Sequence, residues 1–375
     1  MITLAAVMGV SSITPALPLV AKTFGLSLGE VALLITVFTL PGIVLSPILG
    51  VAADLYGRKK IIMPSVFLFG SAGFLCGFAP DFEWLLGLRF LQGIGVAAIG
   101  TLNVTMIGDL FSGNERAQAM GYNSSVLGAG ATLYPMIGGT LALLGWNYPF
   151  FLPILAIPIA FLIHYKLDNP EPKRKTSLKI YFRNVRDNLK DSRIQILFVA
   201  TVVSFLMLYG PIITFLPFLI YDKFTSSTFL IGALISLVAV SNGTSSFLLG
   251  KLAARFTEAG LLKFSYGIYT VALILMPLAP NMLTLGMVIF LFGLAQGINL
   301  PVIITMISGL TNIESRAAVL SLNGMLLKFS QTVAPIGISL LFIVGGNTMV
   351  YGISAFLSLI MAIFLAFKLP DYITR

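Results

Sequence analysis

Asp54 and Arg58 stand four residues apart in residues 50–60 (GVAADLYGRKK), opened by Gly50, with Gly57 between them and Lys59 and Lys60 behind. At that spacing an acid and a base share one face of a helical turn, close enough for a charge-assisted hydrogen bond. Gly57 suits a tight turn, because glycine reaches left-handed backbone angles without strain. Asp109 and the run Asn114, Glu115, Arg116 repeat these charge types downstream, and Arg316 repeats Arg116 near the far end. Two more cations stand in apolar surroundings: Arg89, followed by Gln92, Gly93 and Gly95, and Lys328, followed by Gln331. A cation at the centre of a membrane helix costs about 2.5 to 3.5 kcal/mol on insertion scales, so each must reach an acceptor or a watery cavity, or snorkel to an interface. No phosphate-cradling loop, metal-ligand cluster or nucleophile elbow is present, so the charges read as gating, coupling or binding groups and not as catalytic ones.

The elements that carry these residues are set by composition. Of 375 residues 57% are hydrophobic and 10% charged, and the mean hydropathy is +0.98. Soluble domains carry about 25% charged residues, so this chain is built for lipid. Apolar runs of membrane length fall at 2–22, 29–53, 60–79, 84–108, 117–143 and 147–167, then at 194–221, 228–253, 260–279, 282–309, 316–344 and 348–369. We number them spans 1 to 12. Between the sets, residues 168–193 are polar and basic, with Leu178, Ile180, Tyr181, Val185 and Leu189 spaced for an amphipathic helix on the membrane surface. The net charge of +9 does not point to nucleic acid. All of the 23 Lys and Arg except Lys22, Arg89, Lys223 and Lys328 fall in segments that alternate onto one side, and basic loops stay in the cytoplasm. The first run has no basic leader or small-residue cleavage site and reads as a spanning helix. The lone cysteine, Cys76, excludes a disulfide framework.

The two sets of spans are copies. Leu17-Pro18 matches Leu216-Pro217, Phe24 matches Phe224, Ile35 matches Ile235, and Gly50 matches Gly250; Arg116-Ala117 matches Arg316-Ala317, Asn123 matches Asn323, and Pro135 matches Pro335. An offset of 199 or 200 held across about 120 positions points to a duplicated unit. The second copy of the charged loop carries Ala254 in place of the acid, so any latch made by Asp54 is one-sided.

Residues 50–60 resemble the signature between spans 2 and 3 of the major facilitator superfamily, a glycine, an acid, then glycine-arginine-lysine. Arg89, Gln92, Gly93 and Gly95 resemble its span 4 signature. In span 5, Gly130, Tyr134, Pro135, Gly138 and Gly139, followed by Gly145-Trp146, resemble its antiporter signature, with Tyr134 where glycine is expected. The resemblance implies an all-α integral membrane fold of twelve transmembrane helices in two pseudo-symmetric six-helix bundles, residues 1–167 and 194–375, joined by the linker 168–193. It implies a secondary active transporter that works by alternating access, in the manner of multidrug-efflux drug–proton antiporters. It further implies that Gly50, Asp54, Gly57, Arg58 and Lys59 gate the cytoplasmic side, where the loop charges Asp109, Arg116 and Arg316 are expected to pair and join the gate, and that Gly93, Gly95, Gly130, Pro135, Gly138 and Gly139 pack helices.

Coupling or substrate contact is expected from Arg89, Gln92, Asn103, Tyr134, Tyr209, Asn242, Asn299, Asn323, Lys328 and Gln331. His164 reads as an interfacial residue. No acid lies deep in any span, which leaves Lys328 open to three roles: binding an anion, carrying a proton or pairing. An organic-anion carrier, for a siderophore or acidic metabolite, is therefore the second reading, and a non-transporting membrane sensor the third. The expected partners are a small-molecule substrate, protons and the lipid bilayer, with no cofactor, metal or nucleic acid, and the chain is expected to act as a monomer. The expected location is a prokaryotic cell membrane, with both termini in the cytoplasm.

Overall fold

In hydrocarbon every backbone N–H and C=O must be paired within the protein, and the helix does this inside one segment. Regular structure among the described residues is all helical. The computed structural model describes residues 2–167, 190–224 and 227–369, so the amphipathic segment expected at Leu178 to Leu189 and the chain ends lie outside the described residues.

The chain forms two compact units. The first comprises Met1–Lys175 with Thr225–Ser236, and the second Thr176–Phe224 with Leu237–Arg375. Thr225–Ser236, at the head of span 8, thus packs with the first half of the chain. In the first unit, span 1 is built from α1 (Ile2–Ser11), a 3-10 turn (Thr14–Ala16) and α2 (Leu17–Phe24), broken where Pro15 and Pro18 cannot donate. Then come α3 (Leu28–Tyr56), α4 (Arg58–Cys76), α5 (Phe82–Leu110) and α6 (Gly113–Ala142), with α7 (Ala156–Lys166) entered through a 3-10 stretch, Tyr148–Leu155. Here α5 packs between α3 and α4, α4 also lies against α7, and α1 lies on α5 and α6.

The second unit repeats the plan. Span 7 runs α8 (Ser192–Met207), a π-helical stretch (Leu208–Phe215) around Pro211, then α9 (Leu216–Phe224). It continues with α10 (Thr228–Ala253, from Leu237 onward), α11 (Glu258–Leu275), α12 (Met282–Leu310) and α13 (Ile313–Lys368). α11 packs on α12 and α13, and α8 on α13.

Ten segments among the described residues are long and apolar enough to cross a bilayer. Two facts bring the total to the expected twelve. α13 is two helices joined at Gly345 and Gly346, and Gly346 adopts φ 60, ψ −152, a conformation that only glycine holds cheaply. The 30-residue α6 is about 45 Å long at 1.5 Å per residue, but its Asn, Ser, Thr and Gly content makes it too polar to be recognised by hydropathy.

Equivalent positions of the two copies do equivalent jobs. Asp81 caps α5 by accepting from Trp84 N at 2.8 Å, and Asn281 caps α12 by accepting from Thr284 N at 2.9 Å. A methyl on Gly93 would lie 2.3 Å from the Phe38 carbonyl oxygen, and one on Gly293 would lie 2.5 Å from that of Val238. Both helix pairs therefore approach backbone to backbone. Large apolar side chains such as Phe247 (86%) and Phe367 (83%) are exposed.

Candidate functional site

The first site is built where three helices end. α3 stops at Gly57, whose φ of 98 turns the chain straight into α4. Arg58, the first residue of α4, is thereby folded back beneath α3. Its guanidinium pairs with Asp54 at 2.5 Å and, through Nε, with Asp109 at 3.0 Å on the last turn of α5. Arg58 is buried while Asp54 is half exposed, so one cation bridges two helices and leaves one net negative charge facing outward. The pairing of Asp109 with Arg58 spans 51 residues and was not legible from the motif, which holds only the i, i+4 partner. Arg116 lies against the same end of α5, its guanidinium over Gly108. In the second unit Arg316 only approaches the Thr311 carbonyl, at 3.5 Å, and Gly50 has open space around it.

The second site surrounds Arg89, which is fully buried in the first unit. It does not snorkel. Its Nη1 donates to the Gly9 carbonyl at 2.9 Å and to Gln92 Oε1 at 2.6 Å, and its Nε donates to the Leu34 carbonyl at 3.2 Å. The Phe38 ring lies under the guanidinium with its centroid 4.1 Å away, a cation–π contact. Besides Gln92 the acceptors are backbone carbonyls of α1 and α3, so sequence reasoning could predict that Arg89 needs partners but not which carbonyls supply them. Gly93 and Gly95 explain how the partners come near: Gly93 lets the α3 backbone approach, and Gly95 does so for Ser65 and Phe69 of α4. Gln92 is held against Gly73 of α4.

The third feature is a matched pair of hydrogen-bonded asparagines. Asn123 on α6 accepts from Thr3 at 2.5 Å and from Asn103 at 2.7 Å. Its copy, Asn323, accepts from Thr201 at 2.7 Å. Each clamps the first helix of its unit to the fifth. Asn299 is fully buried, accepting from Ser204 at 2.6 Å and donating to Ser265 at 2.9 Å. Tyr266 joins that network through Ser204, and Tyr269 donates to Gln296 beside it. Ser204, Ser265, Tyr266, Tyr269 and Gln296 were not singled out in sequence, since Ser, Tyr and Gln scattered in apolar runs carry no spacing signal.

The remaining expected residues lie apart. Lys328, half-buried on α13, donates to Gln331 at 3.2 Å, and no carboxylate pairs with it among the described residues. Asn242 accepts from Ser246 at 3.3 Å, and Tyr209 lies beside Phe205. Tyr134, the departure from the span 5 pattern, is buried with its ring over the bare Gly130. Below it, methyls on Gly138 and Gly139 would lie 1.8 Å and 2.3 Å from the carbonyl oxygens of Ser12 and Thr228. Thr228 also donates to the Gly139 carbonyl, and Ser236 to that of Thr132. Among the described residues no three His, Cys, Asp or Glu converge as metal ligands.

A family model described as Major Facilitator Superfamily matches residues 1–289 and 197–373. Among curated proteins, a Bacillibactin exporter of Bacillus subtilis (strain 168) is 27% identical over 68% of this chain and 66% of its own length. The Quinolone resistance protein NorA of Staphylococcus aureus is 28% identical over 45% of this chain and 44% of its own. The chain thus spans less than two thirds of the length of these relatives. Among solved structures, a D-xylose-proton symporter superposes with a TM-score of 0.82 at 14% identity, over 99% of this chain and 97% of that one, a likeness of fold.

Proposed function

Starting from the fact that this chain belongs to the major facilitator superfamily, and is therefore a multi-pass membrane transporter and not an enzyme, we propose that it exports a small amphipathic molecule across the cytoplasmic membrane in exchange for protons. The observation that carries this reading is α6. On its antiporter-like face Gly138 and Gly139 pack at carbonyl distance against Ser12 and Thr228, and Gly232 does so against the Pro135 carbonyl, which is what that face must do to serve as a seal between helices. The names of relatives, Quinolone resistance protein NorA and Multidrug resistance protein 2, support the same substrate class. Alternating access is driven by the proton gradient, and the Asp54–Arg58–Asp109 cluster holds the cytoplasmic ends of spans 2, 3 and 4 together in one of the two states.

A second reading is favoured by one residue. Lys328 offers an ammonium whose described partner is a neutral amide, and one relative is named a Bacillibactin exporter. In this reading the cargo is an organic anion, and Lys328 holds its charge. Proteoliposomes separate the readings. Movement of the amphipathic cation ethidium that follows an imposed pH gradient and stops with an uncoupler supports the first. Saturable movement of bacillibactin, lost in Lys328→Ala and kept in Lys328→Arg, supports the second. Binding of either without net movement overturns both in favour of a sensor.

A further inference from the structure

At the end of α4 beside α7 lies an open depression of about 420 Å³ lined by Lys59, Lys60, Met63, Pro64 and His164. It lies within the first unit and takes no part in the Arg89 site or in the asparagine clamp. Its mouth is basic: Lys60 and His164 are exposed. Its floor is not. Residues three, four and seven positions apart share one face of a helix, so Met63, Pro64 and Phe67 continue inward from Lys60. On α7, Phe161 stands one turn inward from His164. Phe67 and Phe161 meet edge to face with centroids 6.5 Å apart, and they are 45% and 54% exposed. Tyr56 and Tyr165, at the ends of α3 and α7, are 66% and 79% exposed. Exposed tyrosines mark the level of the lipid headgroups.

A cationic rim at headgroup level above an apolar aromatic groove running towards the membrane centre has the two-part chemistry of a phospholipid. We infer that this depression binds one anionic phospholipid of the bilayer, its phosphate held by Lys60, Lys59 and His164 and its acyl chains lying along Pro64, Phe67 and Phe161. The basic loop places the site in the cytoplasmic leaflet, the side on which anionic headgroups attract such clusters.

The test uses the full-length chain purified in detergent, with lipid retention counted by native mass spectrometry and unfolding followed by circular dichroism. The ligands are phosphatidylglycerol, phosphatidylcholine of the same acyl chains, and soluble glycerol phosphate. Phosphatidylglycerol is expected to be retained and to raise the melting temperature, with phosphatidylcholine bound at least about fivefold more weakly. Lys60→Gln should weaken phosphatidylglycerol about fivefold, the effect of one interfacial cation, and Lys60→Arg should restore it. Phe67→Ala with Phe161→Ala should weaken both lipids. If Lys60→Gln does not fold, His164→Gln and Lys60→Arg carry the comparison. Equal retention of the two lipids, or undiminished phosphatidylglycerol binding in every folded variant of Lys60→Gln and His164→Gln, overturns the proposal. Glycerol phosphate binding as tightly as the lipid also overturns it, since the site would then serve a soluble anion. None of these readouts depends on transport, so the outcome is independent of the function proposed above.

Discussion

A guanidinium taken fully out of water must recover several hydrogen bonds, and Arg89 does so from two carbonyls and a glutamine. Interhelical hydrogen bonds in membranes average about 0.6 kcal/mol each, and two of these three are interhelical, so Arg89→Ala is expected to lower unfolding stability by roughly 1 kcal/mol in denaturant titrations. Arg89→Lys, which keeps the charge but reaches fewer acceptors, should recover part of that. If Arg89 also couples protons, Arg89→Lys should lose gradient-driven transport out of proportion to its stability, and a variant in which both fall together assigns the residue to packing. Gly57 is a second residue-scale case: its φ of 98 with ψ of 142 lies where other residues are strained by about 1 to 3 kcal/mol. Gly57→Ala should therefore destabilise by that amount and loosen the approach of Arg58 to Asp109, which a drop in melting temperature would register. The need for partners at Arg89 was legible in the sequence, because charge in an apolar helix is costly wherever it stands. The partners were not, since every residue carries a backbone carbonyl and only the crossing of helices selects two.

Among the elements, α6 carries the sharpest contrast between neighbouring glycines. A methyl on Gly138 would sit 1.8 Å from the Ser12 carbonyl oxygen, whereas Gly128 on the same helix has nothing within 4 Å. Overpacking costs about 1 to 3 kcal/mol or more, while replacing an exposed helical glycine by alanine gains roughly 0.5 to 1 kcal/mol. Gly138→Ala is thus expected to lower the melting temperature and Gly128→Ala to raise it slightly. Equal shifts would mean that the α6 backbone does not lie as close to Ser12 as described. Tyr134, which breaks the span 5 motif, fills the space over Gly130, while the backbone at Gly138 stays close to Ser12.

Taken whole, the molecule repeats one plan at an offset of 200 residues, down to the caps Asp81 and Asn281 and the glycines Gly93 and Gly293. With six spans per copy, the expected topology puts the loops after spans 2 and 8 on one side. Single cysteines at Lys60 and Arg255, in a Cys76→Ala background, are expected to react with an impermeant maleimide only from the cytoplasm. Cysteines at Asp81 and Asn281 should react only from outside. Labelling of Lys60 and Asp81 positions from the same side would contradict the topology. Cys76 is the one cysteine of the sequence, so its replacement leaves no native thiol to react.

The sequence by itself determined the number of spans, the repeat and the sites where charge would need company, because hydropathy, offset and the cost of burying a charge are properties of residue order. It could not determine that Arg58 reaches Asp109, that Arg89 donates to backbone carbonyls of α1 and α3, or that Asn123 and Asn323 clamp matching helix pairs. Those bonds join residues 51 to 122 positions apart. Helical periodicity fixes which face a residue occupies, but the neighbour on that face is decided only when helices cross, and the glycines that let them cross closely are silent until they do.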